Sequence, residues 1–334
     1  MNNETPMTYA QTMPAADPQR RAAAVATALV ATLFGAAAAV AQPIEMGIRI
    51  GDTDVFPESV TSTADGTVYA GSVKGNVYRA APGESVALPW IETSEANGIL
   101  TILGVYADEA NGLLWLCSVP NFFGPERSEG VSSLMAFDLA SGEQQAVYPF
   151  PPPASACNDI AVGSDGSVYA TDTPNGRIFR RAPDADELEL YGEDPSLVGV
   201  DGIAFGADGT MYVNNVRTNE LVRIETDRRG AMTGLTKLQV SHELGGPDGF
   251  RHIEGNRFLQ AEGNIGRVSI VTIEGDTATL EVLSDEFTST PGATPVGDTA
   301  YVIESQIGYL TNPELRGEQP GPFMLYALPM NGAR

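Results

Sequence analysis

Four short segments of the chain carry an oxygen-bearing side chain at nearly the same distance ahead of a tight turn. Glu58 precedes Asp65-Gly66, Asn158 precedes Asp165-Gly166 and Asp201 precedes Asp208-Gly209, each by seven residues; Asp248 precedes Glu254-Gly255 by six. Each turn leads into a similar run: Thr67-Val68-Tyr69-Ala70, Ser167-Val168-Tyr169-Ala170, Thr210-Met211-Tyr212-Val213 and Arg257-Phe258-Leu259. Two further copies, at Gly104 with Asn111-Gly112 and near Pro291 with Gly297-Asp298, hold weaker donors. The equivalent positions, 58, 104, 158, 201, 248 and about 291, are spaced 43 to 54 residues apart.

A period in the forties built from short strands is the signature of a propeller blade. Asp-Gly and Asn-Gly between apolar runs are strong hairpin signals. A second Gly- or Asn-rich turn follows, as at Lys74-Gly75-Asn76 and Pro174-Asn175-Gly176, and then a third strand. The pattern predicts an all-β, six-bladed β-propeller over residues 42–334, with four-stranded antiparallel blades around a central axis. The first strand of each blade would line the axis, so Glu58, Asn158, Asp201 and Asp248 would converge. Three carboxylates brought together repel and raise each other's pKa. A divalent cation would relieve them, Ca²⁺ foremost, with Mg²⁺, Mn²⁺ or Zn²⁺ as other occupants. The plainer reading is a polar, hydrated channel mouth.

With 43 acidic and 19 basic residues the net charge is −24, which argues against nucleic acid or an anionic membrane as partner. Arg20-Arg21 precede an uncharged stretch, Ala22 to Ala41, that ends in the small-x-small pattern Ala39-Val40-Ala41. This predicts a signal peptide over residues 1–41, cleaved after Ala41, and a periplasmic or secreted mature protein free of the membrane. The stretch is long enough for a membrane anchor, but its alanines and cleavage pattern favour export. Cys117 and Cys157, the only cysteines, fall at the same ends of neighbouring blades. They are either a disulfide, as such a compartment permits, or two partly buried thiols. A closed propeller needs no partner subunit, so a monomer is expected.

Over residues 50–330 the chain resembles the senescence-marker-protein/gluconolactonase family, with paraoxonases and strictosidine-synthase-like proteins as cousins. The resemblance rests on Pro57-Glu58, Asn158-Asp159-Ile160-Ala161-Val162, Val200-Asp201-Gly202-Ile203-Ala204-Phe205 and Pro247-Asp248-Gly249-Phe250. It implies a six-bladed propeller with a cation, usually calcium, on a Glu matching Glu58 and an Asp matching Asp248. Asn158 matches an Asn that contacts metal or substrate, and Asp201 stands where the family commonly has Asn. The family's sugar lactonases tend to carry Arg two residues before that Asn, where this chain has Ala156. The paraoxonase histidine pair has no counterpart. His252 is expected as a structural histidine in the channel, on the strand face of Asp248.

The activity implied is metal-dependent hydrolysis of a small-molecule lactone or related ester. Second strands should end on the ligand face at Ser72, Ser118, Asp172, Asn214-Asn215, Glu262 and Glu304. Of these, Asp172 is the candidate general base, or equally the cap of the turn at Thr173-Pro174. Asn158, Asn215, Glu262 and Glu304 are candidate substrate contacts. Phe122 and Phe123, in the insertion Pro120 to Ser132, would form an apolar lid or wall. With Ala156 they point to a substrate less polar than an aldonolactone. The competing readings are a non-catalytic propeller that binds a ligand or partner protein around a structural cation, and a bond-forming enzyme of the strictosidine-synthase type.

Overall fold

The computed structural model describes residues 45–123, 128–315 and 317–331; the expected signal peptide lies outside them. The described chain is built mainly of short antiparallel strands, with one four-residue α-helix, Gly308–Thr311, and three short 3-10 helices. The predicted Asp-Gly turns form. Gly66, Gly166 and Gly209 take φ of 92°, 80° and 80°, conformations that disfavour any side chain. In each, the preceding Asp accepts a bond from the backbone two residues on: Thr67 N, Ser167 N and Thr210 N, all at 2.9 Å.

The second, third and fourth repeats each make one four-stranded antiparallel meander, with first strands Thr101–Asp108, Cys157–Val162 and Val200–Phe205. The fifth, opening with Pro247–Glu254, gains the short strand Gln239–Val240 on its outer edge. The first and last repeats share one eight-stranded sheet. Its two halves meet where Glu45–Ile50 runs parallel to Val86–Ile91. That strand also pairs antiparallel with Met324–Pro329, with Glu45 opposite Ala327. The last repeat therefore takes its outermost strand from the start of the described chain. At this seam Gly47 lies against the backbone of Leu325, where a Cβ would come within 1.8 Å of the carbonyl oxygen.

First strands touch in cyclic order. Pro57–Ser62 packs on Thr101–Asp108, that on Cys157–Val162, and so on to Ala293–Val296, which packs back on Pro57–Ser62. The apolar core follows this order, with one cluster in each gap between consecutive repeats. Trp115, Phe179 and Cys157, for example, fill the gap between the second and third. The repeated tyrosines Tyr69, Tyr169 and Tyr212 each lie buried in such a gap. Burying side chains of this size stabilises by roughly 1.5–3 kcal/mol each.

Cys117 and Cys157 form a disulfide across that same gap, with Cα atoms 5.1 Å apart and 40 residues between them in sequence. Replacing both with Ser is expected to lower unfolding free energy by about 2–4 kcal/mol, read from urea midpoints at constant slope.

Candidate active site

The ligand-position residues sit on β-bulges. The pairing of first with second strand slips between Pro57 and Ser59, between Cys157 and Ile160, between Val200 and Ile203, and between Pro247 and Phe250. Glu58, Asn158, Asp201 and Asp248 each occupy the slip. A bulge adds one residue to its strand and re-aims a side chain, a device common beside active sites. The second repeat slips between Ile102 and Gly104. The residue equivalent to Glu58 is therefore Leu103 and not, as the sequence alignment had it, Gly104. Gly104 instead permits close strand approach, because a Cβ there would come within 2.1 Å of the Asn158 carbonyl oxygen.

Polar side chains of the second strands clamp the bulges. Thr171 Oγ1 accepts from Asp159 N at 3.0 Å and donates to Asp201 O at 2.8 Å. Asn214 Oδ1 accepts from Gly202 N at 2.8 Å, and its Nδ2 donates to Asp248 O at 2.5 Å. Each bond pair ties one repeat's bulge to the next, so the bulges of the third, fourth and fifth repeats keep their relative places.

They meet in one cluster. Asn158 Nδ2 donates to Asp201 Oδ2 at 2.9 Å and to Thr173 Oγ1 at 2.9 Å. Asp201 and Asp248 influence each other's protonation, Glu58 feels the charges of Asp201 and Asp159, and Asp248 feels that of Glu58. Glu58, Asn158 and Asp201 are buried, while Asp248 keeps an edge to solvent. Burial first, and then the neighbouring carboxylates, push Glu58 and Asp248 well above the ordinary range. The same causes raise Asp201 to about 7.

A cation fits the chemistry of this donor set, which is all oxygen and rich in carboxylate. Asp201 Oδ1 is buried without a hydrogen-bond partner, as expected of an atom meant for something else. As the side chains stand, no three His, Cys, Asp or Glu among the described residues are posed to hold a metal. They bond one another instead, and holding a cation would replace the Asn158–Asp201 hydrogen bond.

Beneath the cluster lies an ion pair that sequence reasoning missed. Arg251 Nη1 meets Asp159 Oδ2 at 2.7 Å, both side chains buried. Its charge faces Glu58 and partly offsets the acids. The bulge at Asp248 shifts the alternation of that strand by one, so Arg251 rather than His252 faces the axis. His252 packs its ring on Phe258 and bonds the Gly255 carbonyl, a structural role but outside the channel.

The candidate base Asp172 has another task. Its carboxylate lies 2.6 Å from Arg177 Nη2, accepts from Ala156 N at 3.0 Å, and also binds Asn175 Nδ2. It pairs with Cys157, the residue before the bulge, and so does not share the direction of Asn158. Glu262 repeats the arrangement, with Arg267 Nε at 2.6 Å and Gly245 N at 2.6 Å. Asn215 donates to Val198 O at 3.1 Å and accepts from Arg217 N and Thr218 N at 3.0 Å. Ser72 bonds Val55 O and Lys74 N. These residues tie the loop leading into their own repeat to its second turn. Glu304 binds Thr288 N at 2.8 Å. Asp172, Asn215, Glu262 and Glu304 thus serve as structural fasteners. Asp172 stands at the N-cap position of the turn Thr173–Asn175 but makes no side-chain capping bond there; its anchor is Arg177.

A cleft of about 350 Å³ opens beside Asn158, lined by Leu103, Phe122, Ala156, Thr173 and Arg217 among others. Phe122 stacks on Phe123 with ring centroids 4.4 Å apart. Phe123 itself packs inward against two core clusters and does not line the cleft. A larger cavity, about 620 Å³, lies at the other, hairpin-turn end among Tyr106, Asp165, Tyr169 and Asp208 and touches none of the cluster.

Comparison with known proteins agrees with this architecture. Residues 48–80 match the family model described as strictosidine synthase-like, N-terminal. No curated protein sequence matches the chain. Among solved structures, a gluconolactonase from Xanthomonas campestris is 18% identical, with a TM-score of 0.62 over 87% of this chain and 94% of that one. A luciferin-regenerating enzyme is 12% identical, with a TM-score of 0.62 over 85% and 94%. Virginiamycin B lyase from Staphylococcus aureus is 14% identical, with a TM-score of 0.54 over 79% and 96%. The chain is similar to a propeller of the gluconolactonase and strictosidine-synthase-like kind. At these identities the structural likeness carries the fold alone.

Proposed function

We propose that the protein is a six-bladed propeller hydrolase that opens lactones or related esters with a divalent cation, Ca²⁺ by preference. What supports this reading is that Asn158 bonds Asp201 at 2.9 Å, that burial and then the charges of Asp201 on Glu58 and of Asp201 and Glu58 on Asp248 raise those carboxyls, and that buried Asp201 Oδ1 has no hydrogen-bond partner. The cyclic contacts and the six gap-filling clusters support six blades. Glu58, Asn158, Asp201 and Asp248 would hold the cation, which when bound polarises an ester carbonyl and offsets the developing oxyanion.

The chain's own residues do the rest. Asn158 belongs to both cluster and cleft, so it orients the ester over the acids. Water adds to the carbonyl carbon, and the proton released passes to a carboxylate oxygen of the cluster that does not hold the cation. The ring C–O bond then breaks, and that proton passes to the departing alkoxide, so one water is consumed and a hydroxy acid leaves. Leu103 and Phe122 keep bulk water from the carbonyl. The disulfide fits export to the periplasm or beyond, with cleavage after Ala41. No helix among the described residues is long and apolar enough to cross a membrane, and the mature chain is read as a monomer.

A panel of lactones and aryl esters tests the proposal. Turnover is expected with Ca²⁺, to fall at least about a hundredfold with chelator, and to return when the ion is restored. A bound cation with no turnover of any substrate would return the reading to a non-catalytic binding propeller.

A further inference from the structure

The cleft beside Asn158 has a composition that selects among esters. Its walls are the side chains of Leu103, Phe122, Ala156, Pro174 and Val216. The apolar character is built into the ring, since Leu103 occupies the bulge position that holds an acid or amide in four other repeats. Polar side chains are few. Asn158 and Thr173 already bond each other at 2.9 Å. The remaining one is Arg217, exposed, whose guanidinium makes no ion pair or hydrogen bond among the described residues. Its backbone is held, with N bonded to Asn215 Oδ1 at 3.0 Å, so the base of the side chain is fixed at the cleft edge.

Two physical consequences follow. A polyhydroxylated ring entering this cleft would give up water without finding partners for its hydroxyls, which is costly. An alkyl or aryl arm would gain from the same walls. A free guanidinium in a chain of net charge −24 is the one local element that welcomes an anion. Without it, the cluster of carboxylates next door would repel one.

From this we infer that the substrate is an amphiphilic lactone. It is a ring ester bearing an apolar arm that enters between Leu103, Phe122 and Val216, and a carboxylate-type group that meets Arg217. The inference rests on the reading of the site as a lactone hydrolase, and adds the class of ring ester that it takes.

The test uses the mature protein with Ca²⁺ and four probes: γ-lactones of rising alkyl length, a carboxyalkyl lactone, the methyl ester of that lactone, and glucono-δ-lactone. The expected kcat/KM rises roughly fourfold per added methylene until the cleft is filled. The carboxylate should exceed its methyl ester by up to about fivefold, a ratio that Arg217→Gln brings to one. Phe122→Ser should flatten the dependence on chain length. A preference for glucono-δ-lactone, a flat chain-length series, or an acid-to-ester ratio unchanged in Arg217→Gln overturns the inference while leaving the hydrolase reading in place. Should no ester be hydrolysed under any cation, that reading falls instead. Calorimetry with the matching lactams then measures the cleft directly. Tighter binding with longer arms and loss in Arg217→Gln keep the ligand class, and absence of binding overturns it too.

Discussion

Asp248→Asn is expected to remove lactone turnover and, in the same protein freed of cation, to raise the melting temperature near neutral pH. The first effect follows from the loss of one carboxylate from the cation's donor set, with a fall in kcat/KM of about 10²–10³-fold or more. The second follows from repulsion. Burial and mutual proximity hold Glu58, Asp201 and Asp248 above their unfolded pKa values, with Asp201 at about 7. The folded state then retains protons that the unfolded state has lost. Its stability falls as pH rises from about 4, the unfolded carboxylate value, towards 7. Amidation of Asp248 removes part of that loss and should flatten melting temperature against pH over this window. Cation should stabilise the parent strongly, by about 2.7 kcal/mol at a hundredfold excess over Kd, and the variant much less. A variant that melts lower than the parent in chelator at pH 7 would contradict the buried, mutually repelling cluster. Few core substitutions both stabilise a fold and abolish its activity, so the pair of readouts separates a site from a scaffold.

Asp172→Ala is expected to act in the opposite sense. It leaves Arg177, itself buried, without its carboxylate and removes the bond to Ala156 N that steadies the loop before Asn158. Breaking one side of such a pair costs about 3–5 kcal/mol, read as a lowered urea midpoint. In the fraction that remains folded, kcat should stay within a few-fold of the parent, since the carboxylate does not face the cluster. The double variant Asp172→Leu/Arg177→Met should recover much of the stability, because no charge is then stranded. A collapse of kcat in a stably folded Asp172 variant would restore Asp172 as the base.

The period of the repeat and the Asp-Gly turns were legible because each depends on local spacing. A turn needs its glycine wherever it occurs, and equal offsets from equal turns place side chains at equal heights. The bulges were not legible. One added residue reverses which side chains face the axis, and nothing in Pro-Asp-Gly-Phe-Arg-His declares it. That single shift explains why Arg251 rather than His252 lines the channel. In the second repeat the slip likewise makes Leu103 the equivalent of Glu58. The task of Asp172 was hidden for a related reason. Its partner Arg177 stands five residues on, across a turn, a spacing with meaning only once the hairpin register is known. Whether Cys117 and Cys157 joined depended on a distance across two repeats, which 40 residues of separation leave open.

The seam between Glu45–Ile50 and Met324–Pro329 sets the order in which the molecule can be finished. The strand at the start waits for a mate synthesised almost 280 residues later, so this pairing is a contact of high sequence separation, the kind that slows folding. Until then the nascent chain presents a raw β edge that any similar strand can occupy. Shortening the chain before Met324 would leave that edge permanently available, converting a self-contained ring into a unit able to exchange strands with its neighbours.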